Sequence, residues 1–128
     1  MISLTLTGLV AAAAALVPTA HPAAAAPHGR LVLATDDGDR VVRVVDLRCG
    51  PDGGSHPAPA AACRALRAVD GALDALQAPA GTLCTMEMAP VRVRAVGHWG
   101  RERVDYSATF SNPCALATAT GPVFALGR

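Results

Sequence analysis

The sequence contains no lysine. All 11 basic residues are arginine, and 10 acidic residues bring the net charge to +1. So even a balance, without a run of like charge, excludes the concentrated basic face that a nucleic-acid partner requires and gives no basic patch for a membrane surface. Aromatic residues are nearly as scarce, limited to Trp99, Tyr106, Phe110 and Phe124. A core made mainly of Val, Leu and Ala is thin for 128 residues, a length that fits one small domain, so covalent cross-links would help to hold it. The chain also lacks C-x2-4-C and H-x3-5-H spacings, which removes the common zinc sites, and it has no G-x-S-x-G nucleophile motif. The sequence therefore implies no metal, no cofactor and no catalytic residue.

What is present begins with an apolar, uncharged N-terminus. Leu4, Leu6, Leu9, Val10 and Leu16 stand among alanines, and the small-residue tract 23–26 follows. This pattern reads as a secretory signal peptide over residues 1–25, cleaved after Ala25, although the usual positive side chain at its start is missing. A transmembrane helix is the rival reading, but the run is short of the roughly 20 residues a span needs, and Pro18 and Pro22 follow it. The expected mature domain is 26–128, and it is expected to be secreted. Its four cysteines, Cys49, Cys63, Cys84 and Cys114, form an even set in an exported domain and so predict two disulfides. Four cysteines permit three pairings, and spacing does not choose among them. With no thiol left free, a cysteine nucleophile is excluded as well.

Local patterns predict an α+β fold with an antiparallel sheet. Leu31-Val32-Leu33 opens a strand that ends at the turn Asp36-Asp37-Gly38-Asp39, and the Val-rich residues 40–48 form the second strand of a hairpin. Residues 50–59 are loop. Residues 60–76 carry an apolar stripe of Leu66, Val69, Leu73 and Leu76 at helical spacing, with Gly71 weakening the helix and Pro79 ending it. Residues 91–96 and 103–111 alternate as strands, with Val91, Val93 and Ala95 on one face of the first and Val104, Tyr106, Ala108 and Phe110 on one face of the second. Residues 97–101 read as a turn, 114–120 as a short helix and 123–126 as a fifth strand. His56 and His98 read as loop and turn residues, and Trp99 as core or sheet surface.

Several motifs then occur in one order: G-S-H-P-A-P-x-x-A-C at 54–63, C-T-M-E-M-A-P at 84–90, G-H-W-G-R-E-R-V at 97–104, F-S-N-P-C at 110–114 and the ending P-V-F-A-L at 122–126. Together they resemble the subtilisin inhibitor-like family of secreted bacterial serine protease inhibitors. The resemblance runs over nearly the whole mature chain and accounts for all four cysteines. It implies a five-stranded antiparallel sheet with two helices, and disulfides Cys49–Cys63 and Cys84–Cys114. It also implies a homodimer and a reactive bond between Met86 at P1 and Glu87 at P1′. Leu83, Cys84 and Thr85 would then precede that bond on the protease-contacting loop, and Met88 and Ala89 would follow it. The chain departs from the family pattern at Met88, where an aromatic residue is common, at Ala89, where an acidic one is, and at Arg92 and Arg94 on a strand that is usually more apolar.

The residues support the same reading chemically. A serine protease binds substrate as an extended strand and reads P1 in a pocket. Met86 is unbranched and apolar and suits an apolar pocket, while Leu83 suits an apolar S4 pocket. The expected partner is therefore an extracellular subtilisin-like or chymotrypsin-like protease. Under the family pairing, Cys84 is pinned to Cys114, Pro90 fixes φ beyond the bond, and the Asn112 amide lies within reach of loop carbonyls. The competing function is a non-inhibitory binding module or a protease substrate on the same scaffold.

Overall fold

A computed structural model describes residues 8, 10–18, 28–38, 42–77 and 81–127. Among them, β1 (Gly29–Asp36), β2 (Arg43–Cys49), β3 (Val91–Trp99) and β4 (Glu102–Phe110) form one antiparallel sheet in the order β2-β1-β3-β4. Helices α1 (Pro59–Ala68) and α2 (Pro113–Thr120) complete an α+β architecture. The described part of the N-terminal stretch, Gly8 and residues 10–18, is exposed and without regular structure. The expected cleavage point after Ala25 lies outside the described residues. No helix among the described residues is long and apolar enough to cross a membrane.

Period-two alternation sets the inner face of the sheet. Leu31 and Leu33 of β1, Leu47 and Cys49 of β2, Val91, Val93, Ala95 and Trp99 of β3, and Val104 of β4 are buried. They join Ala62, Cys63 and Leu66 of α1 and Leu116 of α2 in one core. The intervening Arg30, Val32, Arg92 and Arg94 face outward. Both disulfides form with the pairing the resemblance implies. Cys49–Cys63 ties the end of β2 to α1 across 5.5 Å between Cα atoms, and Cys84–Cys114 is the second. The cysteine sulfurs of the first lie near the Asp52 carboxylate, but sulfurs bonded to each other are not thiolates and offer no metal ligand.

Two expectations are corrected. The fifth strand at 123–126 does not form, so the sheet has four strands among the described residues rather than five. Pro122 lacks an amide hydrogen, and the segment spends its backbone groups locally: Val123 N–H on Thr120 O, Ala125 N–H on Pro122 O and Leu126 N–H on Phe124 O. Val123, Phe124 and Leu126 are all buried, so this run plugs the core instead of alternating along a sheet edge. The single helix expected over 60–76 also breaks. It stops at Ala68, and Leu73–Ala75 form a separate 3-10 turn. Asp70 and Gly71 take left-handed φ of 51° and 76°, and Gly71 N–H returns to Leu66 O at 2.8 Å. A Cβ at position 71 would stand 2.3 Å from Trp99 Cγ. Trp99 thus leaves no room for a side chain at position 71, and its Nε1 donates to Asp70 Oδ1 at 3.2 Å. Leu73 still reaches the core, and Leu76 packs against it.

His56 explains how the C-terminal plug is held. It is buried, and its Nδ1 accepts from Ala58 N–H at 2.9 Å. That assigns the ring proton to Nε2, which donates to Val123 O at 3.0 Å. One imidazole therefore joins the entry of α1 to the plug. We expect His56→Ala to lower unfolding stability by about 2–3 kcal/mol, because it opens a cavity and leaves a buried N–H and C=O unpaired. Urea unfolding followed by Trp99 fluorescence would measure this, and a loss under about 0.5 kcal/mol, the level of an ordinary surface substitution, would refute the tether.

The exposed loop ahead of α1 is fastened to β2 through Asp46, whose Oδ1 accepts from the Ser55 hydroxyl at 2.7 Å and the Ser55 amide at 3.2 Å. These bonds hold the Asp46 carboxyl below the usual carboxylate range. Their contribution is complete above the unfolded-chain value near pH 4 and is lost as pH falls through the lowered one. The Arg67 guanidinium likewise pairs with Asp52 and keeps its carboxyl low.

Candidate functional site

Residues 81–90 enter β3 without regular structure and lie almost wholly in solvent. Three of the large apolar side chains most exposed on the molecule sit here: Leu83 at 92%, Met86 at 96% and Met88 at 75%. Exposure of this kind in a segment with no hydrophobic support requires something else to fix the backbone. Sheet topology supplies it. β3 starts just after the loop and β4 ends antiparallel beside that start, with Val91 opposite Phe110. The corner Ser111-Asn112-Pro113 therefore arrives at the same end of the sheet as the loop.

Each residue of that corner has a use. Ser111 O accepts from Ala89 N–H at 2.8 Å, one step past the ladder. Asn112, the chain's one asparagine, is buried to 4% exposure. Its Oδ1 accepts from Ala115 N–H at 2.8 Å and so caps α2. This acceptor fixes the amide orientation, so Nδ2 faces the loop and donates to Thr85 O at 3.1 Å and Glu87 O at 2.8 Å. Those two carbonyls flank the peptide bond between Met86 and Glu87. Pro113 occupies the first turn of α2, where its missing N–H costs nothing.

Cys114, next along α2, closes the disulfide to Cys84 with Cα atoms 5.7 Å apart. Cys84 Sγ also lies 3.3 Å from Thr118 Oγ1, one turn further along the same helix. The loop is thus tied at Cys84, Thr85, Glu87 and Ala89, and Pro90 restricts its exit. Among the sequence-predicted site residues, Cys84, Thr85, Glu87, Ala89, Pro90, Asn112 and Cys114 are brought together, while Leu83, Met86 and Met88 project outward. His98, expected in a turn over 97–101, lies instead on β3, which pairs with β4 as far as Trp99, at the opposite end of that strand from Val91. Sequence reasoning missed Ser111 and Thr118. Ser111 acts through its backbone, so its identity carries no signal. Thr118 follows Cys114 by one helical turn, a spacing that does point to the same helix face.

Fold and site define a small, doubly cross-linked α+β domain that displays one braced and solvent-exposed stretch of chain. The sequence profile described as Subtilisin inhibitor-like matches residues 27–112. The chain belongs to the subtilisin inhibitor-like family. It is 49% identical over 84 residues to Subtilisin inhibitor-like protein 5 of Streptomyces fradiae, covering 65% of this chain and 78% of the relative. It is 46% identical over 100 residues to Protease inhibitor SIL-V2 of Streptomyces orinoci, covering 73% and 92%, and 39% identical over 124 residues to Trypsin inhibitor STI2 of Streptomyces longisporus, covering 92% and 86%. Among solved structures, Streptomyces caespitosus sermetstatin in complex with Bacillus licheniformis subtilisin aligns at a TM-score of 0.63 and 36% identity, over 76% of this chain and 97% of that one. The family and these relatives are protease inhibitors, not enzymes.

Proposed function

We propose that the protein is an exported inhibitor of serine proteases that acts through a substrate-like loop, with Met86–Glu87 as the reactive bond and subtilisin-like or chymotrypsin-like enzymes as targets. The observation that carries this reading is the position of Asn112. One buried amide holds the carbonyls on both sides of the Met86–Glu87 bond, while the Met86 side chain stands free.

A loop already in its bound shape loses little entropy on docking, so binding is tight. Met86 enters an apolar S1 pocket, Leu83 an apolar S4 pocket, and Glu87 with Met88 meets the primed side. After attack on the Met86 carbonyl, the Glu87 amine remains tethered by its own carbonyl to Asn112 and by Ala89 to Ser111. It stays beside the acyl-enzyme and religates faster than it leaves. Titration of the purified protein against subtilisin tests the function. Stoichiometric, lasting inhibition is expected. Absence of inhibition at micromolar concentration would overturn it, and rapid cleavage at Met86–Glu87 without inhibition would make the chain a substrate.

Asn112→Asp separates the brace from the helix cap. The variant keeps the cap acceptor but loses both donors and turns a carboxylate toward two carbonyls. We expect about 1–3 kcal/mol less stability and inhibition that decays as the loop is cut, followed by residual subtilisin activity over hours. Inhibition lasting as long as in the parent would remove Asn112 from the role.

Export, as proposed here, is supported by the apolar, uncharged composition of residues 1–25. Pairing of two copies, also part of this proposal, is supported by the outer sheet face. There Val32 and Val44 are 46% and 59% exposed, and Val32 lies opposite Val96 while Val44 lies opposite Ala34. The Arg92–Asp36 and Arg94–Asp105 ion pairs lie on the same face. Sedimentation should then give twice the monomer mass.

A further inference from the structure

The chain has three methionines, one of which is the initiating Met1. The other two, Met86 and Met88, both sit on the braced loop, either side of Glu87, at 96% and 75% exposure. Among the described residues no other sulfur and no exposed indole competes with them. All four cysteines are in disulfides, and Trp99 is buried at 4% exposure. A thioether open to solvent is oxidised readily to a sulfoxide, which converts a flexible apolar side chain into a polar one.

We propose that Met86 is a modification site for peroxide-class oxidants, and that its sulfoxide is the weakly inhibiting form of the loop. The inference rests on the proposed role of Met86 at the reactive bond. In the modification step, a sulfur lone pair attacks one peroxide oxygen. The S–O bond forms as the O–O bond breaks, sulfur loses two electrons, and the other oxygen takes up the proton of the attacked oxygen and leaves as water or an alcohol.

The geometry makes the consequence one-sided. In the free protein the Met86 side chain packs on almost nothing, so the sulfoxide stays solvated and the fold is unchanged. In the complex the same side chain enters an apolar pocket, where the S=O oxygen loses water and gains no donor. An unpaired dipole of that kind weakens binding about 10- to 100-fold. Met88, at the rim, stays closer to solvent and its oxidation has a smaller effect. Bound protease also shields Met86, so inhibitor already engaged resists the oxidant while free inhibitor is inactivated.

The test treats the purified exported protein with millimolar hydrogen peroxide, maps the 16 Da additions by peptide mass spectrometry, and titrates subtilisin before and after. The expected result is oxidation at Met86 and Met88, an unchanged unfolding midpoint, and an apparent inhibition constant raised about 10- to 100-fold. The treated-to-untreated ratio should fall to about one for Met86→Leu, whatever its own starting affinity, and persist for Met88→Leu. Oxidation at Met86 should slow when subtilisin is added first. Quantitative Met86 sulfoxide with unchanged inhibition overturns the proposal, as does a response that follows Met88 instead. Untreated protein that does not inhibit at all overturns the proposed function, and this inference with it. The two failures are therefore distinct.

Discussion

Met86→Lys is expected to weaken inhibition of subtilisin by about 100-fold or more and to confer inhibition of trypsin. The first effect comes from asking an apolar S1 pocket to take an ammonium group with no partner. An uncompensated buried charge costs about 3–5 kcal/mol, and each 1.4 kcal/mol is tenfold in affinity. Lysine lessens this where its stem can lie in the pocket and carry the charge to the rim. The second effect needs no new contact elsewhere. A trypsin-type pocket ends in a buried carboxylate that pairs with the ammonium, and the loop is already shaped for docking. Met86 is 96% exposed, so the substitution leaves the fold intact and unfolding stability should move by less than about 0.5 kcal/mol. Titration of both enzymes with both proteins decides the matter. Unchanged inhibition of each would mean that Met86 is not P1.

The second large effect concerns the clamp. Replacing Cys84 and Cys114 together with serine is expected to cost about 3–4 kcal/mol of stability, because the disulfide spans a separation of 30 residues and its loss frees the unfolded chain. That is a large share of the stability of a small domain. Function should suffer separately. Cys84 is the first of the four points that hold the loop, lying two residues before the proposed reactive bond, and without it the acyl half drifts from the Glu87 amine. The variant should therefore be cut at Met86–Glu87 and release active subtilisin, seen as recovered activity and two chain fragments on a gel. The Cys49–Cys63 pair offers a control for stability alone, since it joins β2 to α1 away from the loop. If the Cys84/Cys114 variant inhibited as durably as the parent, the clamp would be structural only.

Much of this molecule is written in local order. Strands β3 and β4 were legible because Val91, Val93 and Ala95, and likewise Val104, Tyr106, Ala108 and Phe110, repeat at the period of a pleated strand with one face wet. The corner Asn112-Pro113 obeys an equally local rule, since Asn caps and Pro opens a helix, though the expected helix began at 114 and α2 begins at Pro113. The two misreadings share a cause. At 123–126 an apolar run is as compatible with a core plug as with a strand, and the choice fell to Pro122 and to the buried His56 that holds Val123 O. At 60–76 the apolar stripe continued past Ala68, but Trp99, about 30 residues away, fills the space at Gly71.

The composition and motifs by themselves determined the fold class, the even set of cysteines and a substrate-like stretch around Met86. They did so because alternation, capping and substrate-like chemistry depend on neighbours a few residues apart. The disulfide pairing came only with the resemblance to a family, as four cysteines allow three arrangements. Tertiary structure decided how that stretch is held. The antiparallel pairing of β3 with β4 carries Asn112 back to the loop across 25 and 27 residues of chain. There its amide orientation is set by one bond to Ala115, and Ser111 adds a tie through its backbone alone. No local pattern encodes such ties, because they exist only once the sheet has closed the distance between the two ends of its hairpin.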